Sequence, residues 1–256
     1  QSEDFNLSIG GNLATNENEV LELAKDGNGD DINITTTTRR VEVGQPVYAW
    51  YMPTWAGVDP DNGRNQYYID RVGGDTTYNF NEAEQVFQGG SAIPTITAGM
   101  NIHIDYKNFA LDASGLYQGG HKVYESWHRY LNQTNAYPAF YYQGLTTLLD
   151  RWRQPGDIAR NSRATAGGEP WQRHSKFLYD GDFMRLRNVS LTYTFPSDAV
   201  EPLGLDGLSF FVRGTNLLTW VKDDNLVYDP EIQSDGFTGL ETPPTKSVIL
   251  GVNIKL

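Results

Sequence analysis

The sequence contains no cysteine among its 256 residues, which excludes a disulfide scaffold and metal sites built on thiolates. It also has no run of about 18 apolar residues, so it predicts no transmembrane helix. Positive charge is scarce: 20 lysines and arginines stand against 32 aspartates and glutamates, for a net charge of −12. Because phosphate binding requires clustered basic residues, nucleic acid is not an expected partner.

Motifs that carry catalysis are also missing from the sequence. It has no Gly-x-Ser-x-Gly, no glycine-rich phosphate loop and no His-Glu-x-x-His. The four histidines, His103, His121, His128 and His174, are not at metal-ligand spacing. We therefore predict that the protein is not an enzyme, and we expect neither a bound metal nor a cofactor.

Six segments alternate apolar and polar residues over nine or more positions. A period of two indicates β-strands, because successive side chains leave opposite faces of the pleat. Strands of soluble domains usually run about 5–6 residues, whereas a tilted strand needs about 9–11 to cross a bilayer. We therefore predict spanning strands at residues 5–13, 97–106, 109–117, 185–195, 208–220 and 246–256.

One face of these strands is aliphatic in the middle and carries aromatic residues near the ends, such as Phe195 and Trp220. This pattern is typical of the lipid-facing surface of a membrane β-barrel. Arg185 and Arg187 share the parity of that face, so we expect them to point outward, where guanidinium groups could meet lipopolysaccharide phosphates. The opposite, polar face would line an aqueous lumen. The side chains predicted to face the lumen are Asn101, His103, Asp105, Asp112, Asn188, Arg213 and Asn253.

The connections between the strands alternate between long and short. Long loops at 14–96, 118–184 and 221–245 would lie outside the cell, and short turns at 107–108 and 196–207 on the periplasmic side. Six strands are fewer than the eight of the smallest single-chain barrels, and open edges in lipid leave backbone groups unpaired. The chain is therefore expected to be part of a larger barrel or to pair with other chains.

Within the long loops the sequence predicts only short elements. These are a strand at 66–69, weak helical periodicity at 122–131 and 142–152, and a tight acidic turn at 26–31 that fails the calcium-loop pattern at positions 6 and 12. The loops are also rich in aromatic residues, whose rings can stack on sugars or pack on peptide side chains. They can equally pack the loops against one another or against a partner subunit. The candidate binding rings are Trp50, Tyr51, Trp55, Tyr141 and Tyr142.

Short stretches in a fixed order give the chain a recognisable family pattern from residue 43 to residue 253. They are Val43-Gly-Gln-Pro46, Ala56-Gly-Val-Asp-Pro60 with Gly63, Pro94 with Gly99-Met-Asn101, Tyr106-Lys-Asn-Phe109, Asp150-Arg-Trp152, Phe183-Met-Arg-Leu-Arg-Asn-Val-Ser-Leu-Thr-Tyr193, Gly214-Thr-Asn-Leu-Leu218, Tyr228-Asp-Pro-Glu231 and Pro244-Thr-Lys-Ser-Val-Ile-Leu-Gly-Val-Asn253. In these stretches the chain resembles the C-terminal part of SusC/RagA-like TonB-dependent outer-membrane transporters.

The resemblance implies an all-β fold in which residues 1–256 form the C-terminal portion of a plugged barrel of about 22 antiparallel strands. It implies TonB-dependent import of an oligosaccharide or peptide at the bacterial outer membrane, with a SusD-like surface lipoprotein as lid. TonB would act through a plug domain outside this chain, and the remaining partners would be the rest of the barrel and outer-membrane lipid or lipopolysaccharide. Since the chain begins at Gln1 without Met or an apolar leader, we do not expect Gln1 to be a native start.

Two alternatives remain open from the sequence. One is a barrel that serves another outer-membrane complex as a structural or docking subunit. The other is a soluble carbohydrate-binding β-sandwich, whose strands would turn their apolar faces onto a second sheet.

Overall fold

The computed structural model describes residues 4–131, 144–164, 172–231, 233–239 and 241–256. The strands β1 to β16 in these residues are, in chain order, Phe5–Thr15, Ile34–Thr35, Arg40–Val41, Ala49–Pro53, Trp55–Val58, Asn65–Tyr68, Thr76–Thr77, Gln85–Ser91, Ile96–Tyr106, Phe109–Gly119, Lys122–Glu125, Leu178–Asp180, Phe183–Thr194, Gly207–Val221, Phe237–Thr238 and Ser247–Lys255. Two short α-helices are α1 (His128–Leu131) and α2 (Ser197–Val200). Single 3₁₀ turns cover Phe80–Glu82, Thr146–Leu149, Ser175–Phe177 and Glu201–Leu203.

The long strands form one antiparallel sheet in the order β1-β9-β10-β13-β14-β16. Each strand therefore pairs with its neighbours among the long strands, as in a simple up-and-down wall. All six predicted spanning strands are confirmed to within two residues at each end. Between the described residues, β1 and β16 each pair along one side only, so the wall has two open edges.

The apolar face of this sheet is open rather than packed. Leu250, Leu218 and Val248 keep 79%, 66% and 64% of their surface exposed. An aromatic cluster lies near the turns at one end, where the ring centroids of Phe109 and Tyr193 are 4.8 Å apart and those of Tyr193 and Phe195 are 4.9 Å apart. A soluble sandwich would bury this face, so the sandwich alternative is wrong for this chain.

The buried core of the chain lies outside the sheet, in a region we call the loop body. The loop body comprises the described residues of the three long connections, 16–95, 120–182 and 222–246. Its core cluster consists of Trp50, Met52, Ala92, Val123, Tyr124, Phe177, Tyr179 and Leu226, with residues drawn from all three connections. The long connections thus fold together at one end of the sheet, while the turns at 107–108 and 195–206 lie at the other.

Short elements inside the loop body match the sequence patterns unevenly. The strand predicted at 66–69 is confirmed as β6, and the acidic turn closes through Asp26, whose Oδ1 accepts the N–H groups of Asn28 and Asp30 at 2.8 and 2.9 Å. The helix predicted from the periodicity at 122–131 is only partly confirmed. Its first residues form strand β11, and only its last four residues form a helix, α1. Of the helix predicted at 142–152, residues 142–143 lie outside the described residues and the rest contains only a 3₁₀ turn. Across the described residues no helix has both the length and the apolar character needed to cross a membrane.

A β-bulge in β13 overturns one prediction from strand parity. The register of β13 shifts against both neighbours between Leu186 and Asn188: Arg187 has no partner in β10, and in β14 it stands opposite two residues, Asn216 and Leu217. The residues before the bulge therefore have the opposite parity, and Arg185 lies on the polar face beside Leu116 with only 1% of its surface exposed. Both arginines pair with carboxylates of the last loop, so the prediction that they point outward to lipopolysaccharide is wrong.

Candidate functional site

On the polar face of the sheet, hydrogen-bonding side chains from separate strands lie next to one another in rows. Asn101 lies opposite Ser114, which lies opposite Asn188, so three strands contribute to one row. In the next row His103, Asp112, Ser190 and Arg213 follow one another across four strands. These rows line an open groove of about 510 Å³. Asp105 and Asn253, the other two residues predicted to face the lumen, lie on the same face of β9 and β16.

His103 is the centre of the charged part of this face. Its Nδ1 lies 2.7 Å from Asp112 Oδ1, and its Nε2 lies 2.9 Å from Asp105 Oδ2. The Asn6 amide donates to the same Asp105 oxygen at 3.3 Å. Because these groups remain about half exposed, the cluster is suited to contact water or a polar surface rather than to seal a core.

Trp50 does not belong to any binding surface. None of its area is exposed; its indole N–H donates to the Lys122 carbonyl at 3.2 Å, and its ring packs on Tyr124 and Phe237. The Arg39 guanidinium stacks on the ring at 4.6 Å from the centroid. The prediction that Trp50 contacts substrate is therefore wrong, because the three long connections close around it.

The remaining predicted rings differ in what the structure shows of them. Tyr51 and Trp55 are partly exposed, and each is tied to a polar neighbour: the Arg40 guanidinium donates to the Tyr51 hydroxyl at 3.2 Å, and the Trp55 indole donates to Asn65 at 2.9 Å. Tyr141 and Tyr142 lie outside the described residues. A role in substrate contact for Tyr51 and Trp55 stays a prediction.

Replacing Trp50 by phenylalanine is expected to destabilise the loop body by about 1–3 kcal/mol, because the Lys122 carbonyl loses its donor in a dry core. The matched replacement Tyr51→Phe removes a hydroxyl at a partly exposed position, where water can substitute, and is expected to cost less than about 1 kcal/mol. Hydrogen exchange of the β4 and β11 amides measures both effects. Equal loss of protection in the two variants would contradict the assignment of Trp50 to the core.

Where the loop body meets the polar face, it encloses a cavity of about 450 Å³, which we call the rim pocket. The rim pocket is lined by Tyr48, Ala92, Ile93, Pro94, Gln118, His121, Val123, Pro230, Glu231, Gln233, Ser234 and Gly236. Gln118 follows Ser114 and Leu116 on the polar face of β10, so the pocket opens at the loop end of that face. Sequence reasoning missed it, because its walls come from segments far apart in the chain and carry no short motif.

His121 is the most deeply buried polar side chain of the rim pocket, with 6% of its surface exposed. Burial lowers the pKa of its imidazole, and the nearby Asp182 and Asp180 carboxylates offset only part of that shift, so the ring is neutral at physiological pH. Its Nδ1 has no hydrogen-bond partner among the described residues. An imidazole in that state can either donate or accept one further hydrogen bond.

Two buried side chains anchor the last loop, residues 222–246, against the rest of the chain. Glu125, fully buried, accepts the backbone N–H groups of Val227 and Tyr228 at 2.7 and 2.8 Å. Arg185 bonds Asp229 and lies 3.3 Å from Glu231, the two acids of the Tyr228-Asp-Pro-Glu231 stretch. The loop that forms one wall of the rim pocket is thus held from two sides.

Within the described ranges no group of three or more His, Asp or Glu side chains is arranged to hold an ion. The acidic turn at Asp26 instead satisfies its carboxylate internally, and the backbone N–H groups of Asp30 and Asn28 lower the pKa of that side chain.

Comparison with known proteins places this wall and loop body in a recognisable context. No family model matches the chain. It is similar to TonB-dependent receptor P26 of Formosa agariphila, with 26% identity over 99% of this chain and 27% of the receptor. It is also similar to TonB-dependent receptor P39 of the same organism, with 21% identity over the whole chain and 29% of that receptor. The chain spans less than a third of the length of these curated relatives.

Solved structures show the same fold. A structure of the RagAB peptide transporter matches 99% of this chain and 28% of the transporter chain, with a TM-score of 0.79 and 22% identity. The RagAB peptide importer in its open-open state matches the whole chain with a TM-score of 0.80. The resemblance to TonB-dependent receptors is therefore confirmed, as is the prediction of an all-β chain that forms part of a barrel.

Proposed function

We propose that this chain is the C-terminal portion of the barrel wall of a TonB-dependent importer in the bacterial outer membrane. The observation that carries the proposal is the six-stranded wall with its open apolar face, which aligns over nearly its whole length with TonB-dependent receptors. Such a face is stable in lipid, whereas in water it would drive aggregation. In this reading the long connections are extracellular and the turns at 107–108 and 195–206 are periplasmic.

The wall contributes shape and contacts rather than chemistry. Its polar face, with the cluster of Asp105, His103 and Asp112 and with Arg213, lines the lumen and faces the plug, water or passing substrate. The loop body presents the extracellular surface on which a SusD-like lipoprotein closes as a lid. The open edges of β1 and β16 pair with the remainder of the barrel, because unpaired backbone groups in hydrocarbon cost several kcal/mol each.

The cargo is an oligosaccharide or a peptide. The RagAB neighbours are described as peptide importers, which supports a peptide, while the exposed rings of the loop body suit either class. No step of the proposed import requires catalysis by this chain, and the energy comes from TonB through a plug outside it.

Deletion of the gene for the complete protein tests the proposal. We expect loss of growth on one oligosaccharide or peptide mixture supplied as the limiting nutrient, and the same loss when TonB is inactivated. Restoring the complete gene restores growth, and affinity purification of the protein in mild detergent retains a surface lipoprotein. If growth is unchanged on every nutrient while another outer-membrane complex falls apart, the chain is a docking subunit and import is excluded.

A further inference from the structure

Another cavity of the chain lies on the apolar face of the wall, close to the turns at 107–108 and 195–206. It is an open groove of about 490 Å³, which we call the wall groove. Strands β10, β13, β14 and β16 all contribute to it. The residues that line it are Phe109, Leu191, Tyr193, Phe210, Phe211, Val212, Leu250, Gly251 and Val252.

The register of the wall sets a row of mostly aromatic side chains beside a row of aliphatic ones. The row nearest the turns consists of Phe109, Tyr193, Phe210 and Val252. The next row consists of Leu191, Val212 and Leu250. The ring of Phe195 extends the aromatic row, with its centroid 5.6 Å from that of Phe210. Because the rings are larger than the aliphatic side chains, they form a ridge with a furrow beside it.

What fills the wall groove has to come from the membrane. Further strands of a barrel would pair with the open edges of β1 and β16, so they would extend the sheet sideways and leave its face uncovered. A second copy would present another convex wall, and two convex surfaces touch along a line without filling a furrow. A flexible hydrocarbon chain can follow the furrow, where Phe210 and Leu250 keep 47% and 79% of their surface exposed.

A cation lies beside the wall groove at its turn end. The Lys107 Nζ is 5.5 Å from the centroid of the Tyr106 ring, and Tyr106 is directly opposite Phe109, which lines the groove. Tyrosine rings and lysine ammonium groups are typical of the level at which lipid headgroups meet a membrane protein. An ammonium at this position can bind the phosphate of a lipid whose chain occupies the furrow.

The acidic residues at the same end select among phosphate-bearing headgroups. The exposed carboxylates there are Asp4, Asp198, Glu201 and Asp206. An anionic headgroup would be attracted by Lys107 and repelled by these carboxylates, whereas a headgroup with both a phosphate and an ammonium is attracted by both. In the proposed orientation these turns are periplasmic, so the lipid belongs to the inner leaflet, opposite to lipopolysaccharide.

We propose that the wall groove is a binding site for one acyl chain of an inner-leaflet phosphatidylethanolamine, whose phosphate pairs with Lys107. The proposal rests on the proposed function only for the placement of the wall in the outer membrane. Import itself does not require the site.

The test places a tryptophan in the wall groove of the complete protein and measures its quenching by brominated lipid. Phe210→Trp reports on the groove, and Leu218→Trp, at the loop end of the same face, reports on ordinary boundary lipid. The vesicles are phosphatidylglycerol with about one tenth of chain-brominated phosphatidylethanolamine, and the signal of the parent protein is subtracted. We expect quenching of Phe210→Trp to exceed that of Leu218→Trp about threefold. Adding Lys107→Asn is expected to reduce this ratio to about half, since asparagine tolerates the positive φ of 53° at this turn but carries no charge.

Three results would overturn the lipid site. Equal quenching of the two reporters means that only bulk lipid touches the groove, and a ratio that Lys107→Asn leaves unchanged means that the headgroup is not bound there. Quenching of Leu218→Trp without any quenching of Phe210→Trp means that protein, such as a second copy, covers the groove. Failure of the membrane placement has a different signature, because neither reporter is then quenched by any brominated lipid. Both reporter substitutions exchange one exposed apolar side chain for another, so the wall is expected to keep its fold.

Discussion

Arginine at position 189 is expected to destabilise the sheet in a lipid bilayer by about 2–4 kcal/mol, the cost of a cationic side chain on the lipid face near the midplane of a barrel. Val189 lies in the middle of β13, directly opposite Ala113 on one side and Gly214 on the other. Its row is on the apolar face, where Val189 is partly exposed and the Leu217 side chain lies over the neighbouring Gly214. A guanidinium there must either stay in hydrocarbon or distort the wall to reach water.

The adjacent position provides a matched control. Asn188 lies on the polar face, opposite Ser114 and Thr215, so an arginine there reaches the aqueous side of the wall. Asn188→Arg loses only two long hydrogen bonds of 3.4 Å and is expected to cost about 1 kcal/mol or less. Urea unfolding of the complete protein in lipid vesicles, followed by the loss of heat-resistant migration on gels, compares the two. Equal destabilisation would show that residue 189 does not face lipid.

Removal of the Arg185 side chain is expected to lower the local stability of the last loop by about 3–5 kcal/mol. The guanidinium is 1% exposed and holds Asp229 while lying against Glu231, so Arg185→Ala leaves carboxylates without their buried partner. Limited proteolysis within residues 222–246 measures the opening of the loop. Cleavage is expected to accelerate by at least about a hundredfold, since every 1.4 kcal/mol is tenfold in the open population.

Arg187 is the natural control for this experiment. It pairs with the same Glu231 but is 31% exposed in its side chain, so Arg187→Ala is expected to cost about 1 kcal/mol at most. Adding Asp229→Asn to Arg185→Ala removes one uncompensated charge and is expected to recover part of the lost protection. If both single arginine variants are cleaved alike, the loop is not anchored through Arg185.

The strands of the wall could be predicted because the alternation of apolar and polar residues that indicates them is a local feature of the sequence. Alternation along β1, β9 and β10 is visible in consecutive residues, and the length of each run separates a spanning strand from a soluble one. The polar face followed from the same parity, which is why the residues predicted to face the lumen lie on one face in the structure. Their contact with cargo or plug remains a prediction.

Prediction from sequence failed where distant segments set the outcome. The bulge at Arg187 depends on how β13 pairs with β10 and β14, and it reverses the parity of Arg185 without any mark in the sequence itself. Trp50 looked like an exposed loop ring, yet three separate connections bury it. The rim pocket was invisible for the same reason, since the walls that meet at His121 come from four parts of the chain.

The chain divides its apolar residues between two environments, a closed core in the loop body and an open face on the wall. Urea weakens the hydrophobic packing of the loop body, because that core is surrounded by water. The apolar face of the wall is in contact with lipid instead, so urea acts on it only indirectly. The two regions should therefore melt separately, with the loop body first, and one free energy of unfolding cannot describe the protein. Mild heating is then expected to unfold the loop body while the sheet keeps its strand pairing in the membrane.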